Sequence, residues 1–247
     1  MAQWFEDDGF WDQLYPFMFS ARAFERAPQQ VEDIIRLTGI ESGSVLDLCS
    51  GPGRHTLEWA KRGFRVTGVD RTESLMNIAK ERASKQGVEI EWVLEDMRFF
   101  QRPCSFDLVQ SMFTSFGYFE EKGEDRAVLA QIYENLKPGG MLIMDVVGKE
   151  VLARNFHDSG TSPLDDGSIL VERRKIVDAW SRIENEWIVI RNGATQTFRF
   201  CLNLYSAQEL KLLFESVGFH TIRIFGGLSG APYDIDASRL IVLGSKP

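Results

Sequence analysis

The 247-residue sequence holds only three cysteines and three histidines, and neither set is arranged for chemistry. Cys49, Cys104 and Cys201 are odd in number, far apart and without a C-x-x-C pair. That suggests neither a disulfide framework nor a zinc site, so reduced, buried thiols are expected. The histidines show no H-x-x-x-H spacing, and no metal is expected. Basic residues are also in short supply. The 28 Lys and Arg stand against 36 Asp and Glu, a net charge of −8, which leaves no broad face to neutralise nucleic-acid phosphates. No run of 18 apolar residues exists to span a bilayer, and Glu6, Asp7 and Asp8 stand where a secretory signal would carry positive charge. The expectation is a soluble cytoplasmic protein, monomer or homodimer, with neither nucleic acid nor membrane as a partner.

What is present begins with Val45–Thr56, VLDLCSGPGRHT. Val45, Leu46 and Leu48 read as a buried parallel strand. Gly51 and Gly53 allow a tight turn, and Arg54 to Arg62 reads as a helix closed by Gly63. Such a turn offers a ligand backbone N–H groups at a helix N-terminus. A dinucleotide fold would carry a third glycine where Thr56 stands.

Around this stretch the chain alternates strand and helix. A helix from Pro28 to Thr38 comes first, then strands at Ser44–Cys49, Phe64–Val69, Val88–Leu94, Phe106–Met112 and Met141–Val147. Helices fall at Thr72–Lys85 and Glu124–Leu136. This is the pattern of βαβ units and a parallel sheet covered on both faces. From residue 148 the pattern changes to three helix-free strands, Ser168–Ala179, Arg182–Arg191 and Thr195–Tyr205, with Asn192-Gly193 as a hairpin turn. Ser206 then caps an amphipathic helix, and two strands, His220–Phe225 and Arg239–Leu243, close the chain. Residues 1–40 form an N-terminal helical segment whose rings, Trp4, Phe5, Phe10, Trp11, Tyr15, Phe17 and Phe19, need cover and could roof a pocket. The expected organisation is that segment, a core of 41–147 with 206–247, and an antiparallel insertion at 148–205 lying over the core.

Asp47-Leu48-Cys49-Ser50-Gly51-Pro52-Gly53 resembles motif I, D/E-x-x-x-G-x-G, of the class I S-adenosylmethionine-dependent methyltransferases. An acid beside the turn suits a cationic sulfonium and ammonium and would repel a pyrophosphate. Asp70, 23 positions on, ends strand two where an acid of this architecture bonds ribose hydroxyls. Asp96-Met97 resembles the adenine-contacting pair. Leu136-Lys137-Pro138-Gly139-Gly140 matches the turn before strand five. The resemblance covers residues 44–147 and the terminal helix and strands. It implies a seven-stranded Rossmann-like sheet with an antiparallel last strand, S-adenosylmethionine as cofactor, and Asp47, Cys49, Gly51, Gly53, Asp70, Arg71, Asp96, Met97 and Gln110 at the cofactor. The activity implied is methyl transfer to a small molecule. The loop Gln110–Phe119 lacks the N/D-P-P-Y/F tetrapeptide of amino-group methyltransferases acting on adenine or glutamine, and no Pro-Cys stands there for attack on a pyrimidine carbon.

Tyr118, His157 and Tyr205 are the candidates for a general base, if the nucleophile arrives protonated. Packing or helix capping is the expected role of His55. Two alternatives stand beside this reading. Tyr118 and Lys122 form the Y-x-x-x-K pair of short-chain dehydrogenases, which would make the chain an NAD(P)-dependent oxidoreductase. That pair follows strand five in the dehydrogenases and strand four here. The other alternative is a non-catalytic, S-adenosylmethionine-binding regulatory protein.

Overall fold

The computed structural model describes residues 3–164 and 166–247. In chain order the helices and strands are α1 (Asp8–Met18), α2 (Ala21–Thr38), β1 (Ser44–Leu48), α3 (Arg54–Lys61), β2 (Arg65–Asp70), α4 (Glu73–Gln86), β3 (Glu91–Leu94) and β4 (Phe106–Ser111). Then come α5 (Lys122–Asn135), β5 (Leu136–Val146), α6 (Lys149–Arg154), β6 (Ser159–Pro163), β7 (Ile169–Val177), β8 (Arg182–Arg191), β9 (Ala194–Asn203), α7 (Ala207–Val217), β10 (His220–Phe225) and β11 (Leu240–Ser245).

The apolar run of β1 is buried at every position because it lies in the middle of a seven-stranded sheet, order β10-β11-β5-β4-β1-β2-β3. β1 to β5 pair in parallel, and β11 runs antiparallel to both β5 and β10. Helices α2 and α3 bury Val31, Ile34, Leu37 and Trp59 against one face; α5 and α7 bury Val128, Leu129, Ile132, Leu210 and Phe214 against the other. The strand order reverses between β1 and β4, so helices leave in opposite directions and a crevice opens at their carboxyl ends, the place where open α/β sheets hold ligands.

The second sheet, β6-β7-β8-β9, is antiparallel throughout. Its inner face shares a cluster with α1, in which Phe10 and Leu14 pack on Leu164, Leu170, Val189, Phe198 and Phe200. The sheet rejoins the core at a polar anchor. Tyr205 donates its hydroxyl to Asp125 Oδ2 at 2.6 Å, and Asn203 Nδ2 donates to the same oxygen at 2.8 Å and to Phe119 O at 2.9 Å.

The larger differences from the sequence expectation have local causes. Helix α2 begins at Ala21 rather than Pro28, because the helix formers of Ala21–Ala27 outweigh the donor lost at an internal proline. Strand β5 runs through Lys137–Gly140, which was expected to be a turn; the two glycines sit in a register shift opposite Phe106–Leu108. The region after residue 148 holds a short helix, α6, and a fourth strand, β6. Ser-Gly-Thr-Ser-Pro has no apolar alternation to announce it, and its place at a sheet edge requires none. Thr72 stands at the N-cap of α4, but its side chain makes no capping bond.

Candidate active site

A cavity of about 630 Å³ opens over the carboxyl ends of the parallel strands. Its floor is the residues that follow β1 (Cys49, Gly51), β2 (Arg71, Thr72), β3 (Glu95, Asp96, Met97) and β4 (Phe113, Thr114, Ser115, Tyr118). Its roof comes from α1, the residues flanking it, and the inner face of the second sheet.

The glycine turn closes on itself. Gly51 and Gly53 are left-handed, φ 53° and 80°, and so is Cys49 at 63°. The Gly51 N–H donates to Asp70 Oδ2 at 2.7 Å, and the Gly53 N–H to Ser50 O at 3.1 Å. The amides of Gly51 and Gly53 are therefore spent inside the protein and are not offered to a ligand. Asp70 also accepts from the Thr72 N–H at 2.9 Å. Burial raises its carboxyl above the ordinary value, and the two backbone donors partly offset this.

Six of the nine residues assigned to the cofactor line the cavity: Cys49, Gly51, Asp70, Arg71, Asp96 and Met97. Asp47, Gly53 and Gln110 do not. Asp47 turns under the floor to accept from Thr56 Oγ1 at 2.5 Å, in the very position where a dinucleotide fold has its third glycine. Burial pushes its carboxyl up to about 6, against the opposing effect of that bond. Gln110 is fully buried and accepts from Trp59 Nε1 at 2.8 Å. Gly53 is a packing position, where a Cβ would stand 3.1 Å from Ala79 Cβ and 3.2 Å from Trp92.

Asp96 is gripped by Arg98, whose Nε and Nη2 reach its two oxygens at 3.0 and 2.7 Å. Half-burial acts upward on this carboxyl, but the Arg98 hydrogen bonds and charge outweigh it and hold Asp96 below the usual range. Asp96 thus stays an anion at the cavity wall, 3.9 Å from Arg71 Nε.

The roof is aromatic. The Trp4 ring spans the cavity, with centroids 4.8 Å from Tyr118 of the floor and 5.0 Å from Phe200 of the second sheet. Among these rings stand three polar side chains that the sequence did not single out. They are Glu172 and Arg174, paired at 2.5 Å, and Asn185, opposite Arg174 in the register. They share the face of Leu170, and only knowledge of which face is inner could have marked them.

The three candidate bases are not brought together. Tyr118 lines the cavity, and burial drives its hydroxyl well above the ordinary value, so it stays a proton donor. Tyr205 is spent on Asp125 outside the cavity. His157 is exposed on the loop between α6 and β6, outside the cavity lining. His55 is buried, bonds Gln30 at 2.8 Å and is held neutral first by burial and then by Arg54, so it packs rather than titrates. Cys49 is likewise kept a thiol, by burial and by the acids around it. Among the described residues no cluster of His, Cys, Asp and Glu could hold a metal.

Residues 45–140 match a family model described as a methyltransferase domain. The chain is 31% identical over 212 residues to the putative methyltransferase YqeM of Bacillus subtilis (strain 168), covering 83% of this chain and 85% of that one. It is 25% identical over 207 residues to a glycine/sarcosine N-methyltransferase of Halorhodospira halochloris, 82% of this chain and 75% of that one. Its fold is similar to that of an S-adenosylmethionine-dependent methyltransferase from Clostridium acetobutylicum. The TM-score is 0.79 at 15% identity, over 96% of both chains.

Proposed function

The chain belongs to the S-adenosylmethionine-dependent methyltransferases, and on that premise we propose that it transfers a methyl group to a small-molecule amine held between the β4 loop and the aromatic roof. The observation that carries this reading is the cavity itself, which joins an acid-lined floor to an aromatic roof in one space. Asp70, Glu95 and Asp96 suit a cofactor that is cationic and bears hydroxyls, and the self-satisfied glycine turn suits one without phosphate.

Asp70, Arg71, Asp96 and Met97, with Cys49 and Gly51, are the residues that would hold the cofactor. When bound, S-adenosylmethionine supplies a methyl group on a sulfonium, with a good leaving group already in place. The chain then contributes alignment of the acceptor and exclusion of water. Trp4, Phe10, Trp187 and Phe200 supply the dry wall and favour a cationic amine over their ring faces. Tyr118 keeps its proton and orients rather than deprotonates. The cover comprises residues 4–19 and the second sheet; α2, inside the expected covering segment of 1–40, packs with the core instead. The relative that acts on glycine and sarcosine supports an amine. Among the described residues no helix is long and apolar enough to cross a membrane. The acid excess supports a partner other than nucleic acid.

Methyl-labelled S-adenosylmethionine offered with glycine, sarcosine and nucleotide-linked amino sugars should pass its label to at least one of them. For that acceptor Trp187→Ala should raise KM about tenfold while affinity for S-adenosylhomocysteine stays unchanged. Label found only on a hydroxyl, or a variant altered only in cofactor affinity, would contradict the reading.

A further inference from the structure

The inner face of the second sheet is apolar at both ends and polar between them. Leu170 and Val189 form one end, packed on Phe10 and Leu14 of α1, and Ile183 lines the cavity at the other. Between these, alternation along β7 brings Glu172 and Arg174 to the cavity wall, and the register sets Asn185 opposite Arg174. Trp187 stands opposite Glu172 and Phe200 opposite Asn185, so rings of the same wall flank the three polar side chains.

The three have more hydrogen-bonding capacity than the protein uses. Glu172 and Asn185 are only 7% and 8% exposed. Glu172 Oε1 pairs with Arg174 Nη2 at 2.5 Å, while among the described residues no donor reaches Oε2. Arg174 Nη1 has a long contact to His157 O at 3.4 Å, Asn185 Nδ2 an equally long one to Ile183 O, and Asn185 Oδ1 accepts nothing among the described residues. Gly160, paired with Glu172 across the sheet edge, lays no side chain over the group; a Cβ there would stand 3.5 Å from Glu172 Oε2 and 3.6 Å from Arg174 Nη1. An ion pair this far from water adds little stability compared with the apolar residues on the same face. What it adds is a set of unused polar atoms on the wall of the cavity.

The charges of Glu172 and Arg174 oppose each other at one place, so a carboxylate there meets Glu172 and an ammonium meets Arg174. A hydroxyl meets neither objection. It donates to a carboxylate oxygen and accepts from a guanidinium or amide N–H, and two neighbouring hydroxyls can share Glu172 Oε2, Arg174 Nη1 and the Asn185 amide. We infer that Glu172, Arg174 and Asn185 recognise hydroxyl groups of the acceptor, which makes the acceptor a polyhydroxylated amine. The inference rests on the amine reading above and names its substrate class.

The test is calorimetry on protein saturated with S-adenosylhomocysteine, in wild type, Asn185→Leu and the double variant Glu172→Met/Arg174→Met. Neither change alters the net charge of the wall, and the double variant leaves no unpaired charge behind. The probes are the methyl glycosides of the three aminodeoxyglucoses with nitrogen on the second, third or fourth carbon. Cyclohexylamine serves as the ring amine without hydroxyls, methyl glucoside as the hydroxylated ring without an amine, and sarcosine as the amine with a carboxylate. At least one amino sugar should bind wild type about tenfold tighter than cyclohexylamine or sarcosine. Each variant should weaken that amino sugar about tenfold and leave the affinities for cyclohexylamine and S-adenosylhomocysteine unchanged, a selective loss that a merely structural role would not produce. Wild type that prefers cyclohexylamine or sarcosine, variants that bind the amino sugar as wild type does, or equal losses across the probes overturn the inference and leave the amine reading standing. Methyl glucoside bound as tightly as the amino sugars, and weakened in both variants, supports the hydroxyl site and overturns the amine reading instead. Wild type that binds none of the probes overturns both, and wild type that does not bind S-adenosylhomocysteine overturns the cofactor reading beneath them.

Discussion

Asp70→Ala should weaken S-adenosylmethionine binding about 100-fold, near 2.7 kcal/mol, the scale of two charge-assisted hydrogen bonds. The carboxylate has room for about four acceptor contacts. Two are used internally, by Gly51 N–H at 2.7 Å and Thr72 N–H at 2.9 Å, and the rest belong to the cavity wall. The same internal bonds give the substitution a second consequence. Truncation orphans two backbone donors beneath the floor, so the ligand-free protein should lose about 2–4 kcal/mol of stability while remaining folded. Asp70→Asn separates the effects: it keeps an acceptor for one amide, and should recover stability more than affinity. Calorimetry well below both melting temperatures reads the affinity, and an unchanged dissociation constant would remove Asp70 from the site.

Asp125→Asn should stabilise the protein at pH 7.5 and lose that advantage in acid. Asp125 is fully buried, and its Oδ2 accepts from Tyr205 and Asn203 while its Oδ1 has no partner. Burial, against those two hydrogen bonds, pushes the carboxyl up from 3.8 to about 6. Between those values the folded state binds more protons than the unfolded state, so this group's contribution to stability falls as pH rises through the window. The cost of ionisation is about 3 kcal/mol at neutral pH. Asn is neutral throughout and can accept the same two bonds, while its Nδ2 takes the unpartnered place of Oδ1 at a cost that does not change with pH. The stability gap in its favour should therefore be widest above pH 6 and close toward pH 4. A gap that does not change with pH would show that Asp125 is not the group responsible.

The floor of the site was legible because each of its devices is local. A buried apolar strand, a glycine turn and an acid at the next strand end occur within 26 residues, from Val45 to Asp70, and the structure brings Gly51 and Asp70 into direct contact. What the sequence could not show was which way a side chain turns at the end of a strand. Asp47 has the right type and spacing, yet Thr56 draws it beneath the floor. The roof was legible only as a need for cover, since Trp4 and Phe10 are plainly too apolar to stay exposed. That they meet Phe200 and Trp187 depends on pairings across nearly the whole chain. Strand β6 was missed because a polar edge strand is specified by its neighbour, β7, and not by its own pattern.

Thermal unfolding with S-adenosylmethionine, S-adenosylhomocysteine and NAD, each in excess, tests the account most directly. A ligand at about 100 times its dissociation constant adds about 2.7 kcal/mol, which should raise the midpoint of a chain this size by roughly 5–10 °C. Both sulfur nucleosides should produce that rise and NAD none. A rise with NAD alone would mean that the glycine turn opens its spent amides to a pyrophosphate, and would contradict the account at its centre.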